Sequence, residues 1–256
     1  MNRLAIGSLD VPAGHDASTV GEASLRTVPQ GDTPHSLFVP LHYESNYAYP
    51  LLIWLHGSGD DEQQLRRIMP MVSMRNYVAV APRAPHRHER RDVGYAWSQT
   101  PGGIVAARNR VFDCLDIVRR RYRVALDKVF VAGYGSGGTM ALRLGVLDGE
   151  RFAGAASMGG PFPSSHTPLL RLAQARFMQV LISSGRDSST YPVEQTCREL
   201  RLFHAAGLSV TLRQYPCGDE LTALMLHDLN VWTMEQVTGL AMSPSGGPAL
   251  PPEAAN

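Results

Sequence analysis

Two glycine-rich turns carry the chemistry this sequence can offer. The first closes the run LLIWLHGSGDD (51–61) and the second the run VFVAGYGSGG (129–138). In each, a short apolar stretch reads as a buried strand, and the glycines after it read as a tight turn opening a helix. A turn such as Gly57-Ser58-Gly59 can aim backbone N–H groups at a developing negative oxygen. In the second run, glycines flank an apex of the kind that presents a nucleophile, because such an elbow is strained and packs closely against its neighbours. Gly57, Ser58, Gly59, Gly135 and Ser136 are therefore the candidate binding residues, with the N–H groups of Ser58 and Ser136 as the candidate oxyanion donors.

These turns need a scaffold, and the rest of the chain supplies a readable one. Apolar runs predict strands over 35–41, 51–57, 77–83, 128–134, 152–159, 177–185 and 208–216, and amphipathic stretches predict helices near 60–74, 102–123, 137–149, 192–206 and 221–238. The later strands are continuously apolar, as in a parallel sheet covered on both faces, whereas the first two could form an antiparallel edge. The fold class is α/β, a doubly wound, mostly parallel sheet of about seven to eight strands flanked by helices. Ligands in such sheets sit beyond the carboxyl ends of the strands, where both turns fall.

Taken with Gly94-Tyr95-Ala96-Trp97, Gly185-Arg186-Asp187 and Tyr215-Pro216 in matching order, the two turns resemble the phospholipase/carboxylesterase family of the α/β-hydrolase superfamily, which includes acyl-protein thioesterases. The resemblance covers roughly residues 35–240. It implies an α/β-hydrolase fold and hydrolysis of acyl esters or thioesters by a Ser, Asp, His triad without a cofactor.

All three triad positions depart from that pattern. Aligning the elbow glycines on Gly133, Gly137 and Gly138 puts Gly135 at the nucleophile position. The family aspartate position falls on Ser188, and the family histidine position, after the Tyr-Pro turn, falls on Asp219. A shifted triad of Ser136, Asp187 and His227 is the alternative. Consecutive Cα atoms lie about 3.8 Å apart, and catalytic groups need placement to about 0.5 Å. His227 also starts roughly 12 Å beyond Asp219 if the intervening residues are helical. Losing the nucleophile or base of such a unit costs on the order of a millionfold in turnover.

Three readings follow: a catalytically degenerate pseudoenzyme that keeps a pocket for a small-molecule or acyl-ester-like ligand, an active carboxylesterase using Ser136, or a non-catalytic interaction subunit. Partner proteins and any homo-oligomer are not legible.

Composition narrows the remaining classes. The chain has 256 residues, 44% hydrophobic, with 24 Lys+Arg against 23 Asp+Glu. That suits a single domain over 34–242, preceded by a poorly ordered segment (1–33) and followed by a disordered, Pro/Gly/Ala-rich tail (243–256). Balanced charge argues against nucleic-acid binding, and no apolar run reaches the roughly 20 residues of a membrane span. Cys114, Cys197 and Cys217 are odd in number and scattered, which suits reduced thiols and a cytoplasmic location. Neither a metal site nor a cofactor is expected. Arg119–Arg121 and Arg123 read as complements to a helix dipole, and Met69, Met71 and Met74 as packing residues.

Overall fold

The computed structural model describes residues 26–27, 33–88, 94–166, 175 and 178–239. In chain order the elements are β1 (Arg26–Thr27), β2 (His35–Phe38), β3 (Tyr49–Leu55), α1 (Gln64–Val72), β4 (Val78–Pro82), β5 (His86–Arg87), β6 (Tyr95–Ala96), α2 (Pro101–Arg121), β7 (Val124–Tyr134), α3 (Ser136–Leu147), β8 (Gly154–Met158), β9 (Gln179–Gly185), α4 (Val193–Ala205), β10 (Ser209–Tyr215) and α5 (Ala223–Thr238). Eight strands form one sheet in the order β1-β2-β4-β3-β7-β8-β9-β10, while β5 and β6 make a separate ribbon.

Every pair from β4 to β10 across the sheet is parallel. The antiparallel edge is made by β1 on β2 and by β2 on β4. The first two predicted strands are thus not partners. All seven residues of β3 are buried, and a strand covered on both faces belongs inside the sheet. Strand order also turns at β3, because the chain first moves outward to β4 and later returns to place β7 on the other side. Leu55 and Gly133 are register partners, so the two glycine turns leave the sheet side by side at this switch point.

The pleat of β3 sorts its side chains. Leu51, Ile53 and Leu55 enter the core that also contains Ile104 of α2, Met140 of α3 and Phe203 of α4. Leu52 and Trp54 point oppositely, to Leu65 and Ile68 of α1 and to Leu229 and Trp232 of α5. Two helices therefore cover one face and three the other. Fully burying an apolar side chain of this size contributes about 1.5–3 kcal/mol.

Local signals set the helix ends. The Thr100 side chain accepts from the N–H of Gly103 at 3.2 Å, with Pro101 in the first helical position of α2. Arg119, Arg120 and Arg121 fill its last turn, at the negative end of the dipole. α1 is shorter than its predicted span because Asp60 and Asp61 spend their carboxylates on the turn, Asp61 accepting from the N–H of Gln63 at 2.9 Å. Of the three methionines read as packing residues, Met69 is fully buried, Met74 packs against the core and Met71 is exposed.

The expected poorly ordered N-terminal segment contains β1, and Thr33 at its end is buried, donating from Oγ1 to Asp113 Oδ2 at 2.8 Å. Pairing with an edge strand gives this short stretch the hydrogen bonds that composition alone did not suggest. The remainder of 1–32 and the expected tail, 243–256, lie outside the described residues.

Candidate functional site

The first turn is held by contacts that leave the Ser58 N–H without a partner among the described residues. Gln64 is buried on the stripe it shares with Ile68 and Val72. Its Oε1 accepts from Trp54 Nε1 at 2.7 Å and from Gly57 N–H at 3.3 Å, and its Nε2 donates to Asp60 Oδ2 at 3.0 Å. Gly59 N–H donates to the Tyr95 carbonyl at 3.0 Å. Of the three candidate residues in this turn, Gly57 and Gly59 thus have their N–H groups occupied. Ser58, exposed at the tip, has no such partner among the described residues.

His56 is a brace here. Its Nε2 accepts from Ala84 N–H at 3.0 Å, so the proton sits on Nδ1, which donates to the Gly57 carbonyl at 2.8 Å. Burial pushes its pKa down, and both ring nitrogens are committed to backbone. The carbonyl of His56 accepts from Trp97 Nε1 at 2.9 Å. One layer further out, Glu62 receives a two-pronged grip from Arg83, Nε to Oε2 at 2.7 Å and Nη2 to Oε1 at 2.5 Å. Burial alone would raise the Glu62 carboxyl, but the Arg83 hydrogen bonds and charge outweigh it and hold the group below its ordinary range.

The second turn has Gly135 at its apex, with φ 53° and ψ −119°. A side chain at such a backbone costs of order 1–3 kcal/mol of strain, and glycine avoids it. Its N–H donates to the Met158 carbonyl at 2.8 Å and its carbonyl accepts from Thr139 N–H at 3.0 Å, so the apex is fastened on both sides. A Cβ built at Gly135 would meet nothing within 4 Å. The space that a nucleophile would use is therefore open.

Ser136 begins α3, and its N–H lies in the helix's first turn without an intrahelical acceptor. Its Oγ is buried and has no hydrogen-bond partner. At the next residue, a Cβ on Gly137 would lie 2.2 Å from the Leu55 carbonyl oxygen and 2.4 Å from that of His56. That closeness seats the start of α3 against the end of β3, where the first turn begins.

Across the site, Ser188 and Asp219 have found each other. Main-chain bonds from Arg186 N–H to Tyr215 O (2.8 Å) and from Asp187 N–H to Cys217 O (3.0 Å) tie the loops after β9 and β10 together. Within that clasp, Ser188 Oγ donates to Asp219 Oδ1 at 2.5 Å, Ser189 Oγ to Oδ2 at 2.6 Å and Thr190 N–H to Oδ1 at 3.0 Å. The Ser188 and Ser189 hydroxyls and the Thr190 N–H hold the Asp219 carboxyl well below the usual carboxylate range. Tyr134, next to the apex, donates its hydroxyl to the Asp219 carbonyl. The phenol's own pKa is raised by burial and by the charges of Asp219 and Glu220.

No hydrogen bond joins Ser136, Asp187 and His227. The Ser136 hydroxyl is unpartnered, Asp187 is exposed, and His227 lies on the outer face of α5, where Nδ1 is 3.6 Å from Asp228 Oδ1. Sequence reasoning missed Gln64 and the Glu62–Arg83 pair. A signal for Gln64 was present, since it is a polar residue spaced four and eight before Ile68 and Val72. Among the described residues, no group of three or more His, Cys, Asp or Glu side chains could hold a metal ion, and no helix is long and apolar enough to cross a membrane.

The sheet order, the two turns at its switch point and the helices on both faces define the α/β-hydrolase fold. Solved structures similar to this chain carry the same fold. They include a carboxylesterase from Mesorhizobium loti, with TM-score 0.67 and 21% identity over 83% of this chain and 98% of that one. Arabidopsis thaliana SOBER1 gives TM-score 0.65 and 20% identity over 74% of this chain and 100% of that one. Zea mays acyl-protein thioesterase 2 gives TM-score 0.65 and 17% identity over 79% and 98%. No protein-family model matches the sequence.

Proposed function

We propose that this chain is a non-hydrolytic relative of the carboxylesterases and acyl-protein thioesterases, one that binds a carbonyl or carboxylate group of a small acyl ligand at the elbow and leaves it intact. The observation that carries this reading is the apex itself: Gly135 adopts φ 53° and ψ −119° with no side chain to attack a carbonyl. The loops after β9 and β10 support it, since Ser188 and Asp219 there are hydrogen-bonded to each other and neither is an imidazole.

Binding needs less than catalysis. The N–H groups of Ser58 and Ser136 suffice as donors to one oxygen, and the positive end of α3 favours partial or full negative charge there. Hydrolysis would further require a nucleophile within about 3.2 Å of a base. The Ser136 hydroxyl has no such partner.

The test pairs p-nitrophenyl acetate hydrolysis with intact-mass detection of fluorophosphonate labelling, on wild type and Ser136→Ala. Both folded proteins are expected to be silent in both assays. Turnover and labelling in wild type, both abolished by Ser136→Ala, would overturn the reading and establish a serine esterase working from Ser136.

A further inference from the structure

The eight-stranded sheet ends in two edges that differ in their protection. An edge strand presents unpaired N–H and C=O groups to any strand that can lie beside it, and short length, a proline, a bulge or a charge is the usual defence. At one end, β1 is two residues long. At the other, β10 runs for seven residues, SVTLRQY, and pairs with β9 from Ser209–Gln179 to Tyr215–Gly185 without a bulge. No strand lies beyond it among the described residues. It has no proline, and its one charge, Arg213, is spent inside the chain, with Nη1 2.9 Å from Asp228 Oδ2 of α5.

The pleat divides this edge by chemistry. Arg213 and Tyr215 face α5, where both meet Asp228, and Thr211 shares that face. Val210 and Leu212 face the other way, against the core that contains Phe203 of α4. Both stay half-buried, unlike Leu181 and Ile182 of β9, which have a strand on each side.

We infer that β10 pairs antiparallel with β10 of a second copy of this chain, joining the two sheets across a two-fold axis. The occupant follows from the strand's own symmetry. Such pairing sets equal faces side by side, and with Thr211 on the axis, Val210 lies opposite the partner's Leu212 and Leu212 opposite the partner's Val210. Apolar side chains left half-open in one copy then cover those of the other, and Thr211 meets its own equivalent in a favourable cross-strand pair. Arg213 falls opposite the partner's Ser209, so no like charges meet. Moving the axis to Leu212 would set Val210 against Gln214, and moving it to Arg213 would set two arginines together. In the Thr211 register, Tyr215 falls opposite the partner's Gly207, which brings the partner's α4–β10 turn beside the start of the loop that carries Asp219. This inference is independent of whether the elbow hydrolyses anything.

The experiment is sedimentation velocity of the full chain over a range of concentrations, using wild type and Thr211→Lys, together with oxidative cross-linking of Thr211→Cys in a Cys197→Ser background, since Cys197 is exposed. Wild type is expected at twice its 27.9 kDa mass. Lysines facing each other on the axis should weaken the dimer about a hundredfold, with circular dichroism and Tm near those of wild type because Thr211 is half-exposed. Opposed Cα atoms in an antiparallel pair lie about 4.5–5.5 Å apart, within the span of a disulfide, so the Thr211→Cys protein is expected to form a reducible covalent dimer that Cys197→Ser alone does not. A wild type that stays at 27.9 kDa up to its solubility limit, or a dimer that Thr211→Lys leaves as tight, would overturn the inference. A folded Thr211→Cys protein that stays uncross-linked would overturn it too. If Thr211→Lys does not fold, the cross-link decides alone.

Discussion

The two halves of the site are built differently. On one side, the turn after β3 and the elbow after β7 are built from backbone, with a positive-φ glycine at the apex and a first turn braced by Gln64 and His56. On the other, the loops after β9 and β10 keep their main-chain clasp, while the side chains inside it form a Ser188–Asp219 hydrogen bond. Backbone geometry shapes the first half, and side-chain hydrogen bonds fill the second. The reason is physical. An elbow apex at positive φ and a helix start pressed on two carbonyls are demanded by the packing of the sheet, whereas an imidazole or a serine hydroxyl at its edge is not.

The largest effect is expected from placing a triad on these turns and loops. Gly135→Ser, Ser188→Asp and Asp219→His combined would place nucleophile, orienting acid and base on a backbone that has room for the new Cβ. Such a unit accounts for up to about a millionfold in turnover, so even an imperfect alignment is expected to raise p-nitrophenyl acetate hydrolysis at least about a hundredfold over wild type. Gly135→Ser alone should stay silent. A folded, inactive triple variant would show that the edge loops no longer sit where a triad needs them.

A second variant probes the braced side. Arg83→Met leaves the Glu62 carboxylate, whose side chain is fully buried, without its cation. Removing one partner of a buried pair typically costs about 3–5 kcal/mol. Urea unfolding is expected to show a loss toward the lower end, because the Arg83 side chain is itself 30% exposed. A loss near zero would mean that the turn after β3 does not depend on this anchor.

The smallest effect belongs to the loops after β9 and β10. Asp219 has its folded-state pKa lowered by Ser188, Ser189 and Thr190, so these bonds add stability above its unfolded value of about 3.9. That stability is lost as pH falls through the lower folded value. Asp219→Asn is therefore expected to melt slightly below wild type at pH 6, with the gap closing as pH drops below about 4. A gap that stays constant across this range would exclude the charge of Asp219 as its cause.

Much of this architecture was legible in the chain itself. Continuous apolar runs located the parallel strands, alternating faces located the helices, and the spacing of Gly133, Gly137 and Gly138 pointed to the elbow. Periodicity and turn chemistry act over a few residues, so a linear reading can see them. The same reading expects Gly135, Ser188 and Asp219 where the resembled family carries its triad.

What the sequence could not decide was which groups meet. Strand order was one such question: β2 pairs with β4 and β3 lies inside the sheet, a choice made by which strand has both faces covered. Partnership was the other. Gln64 reaching Gly57, Arg83 gripping Glu62 and Ser188 closing on Asp219 all join residues from different elements. Hydrogen bonds and charge pairs are decided by distances of a few ångströms across the folded chain, and only the tertiary structure brings those groups within reach.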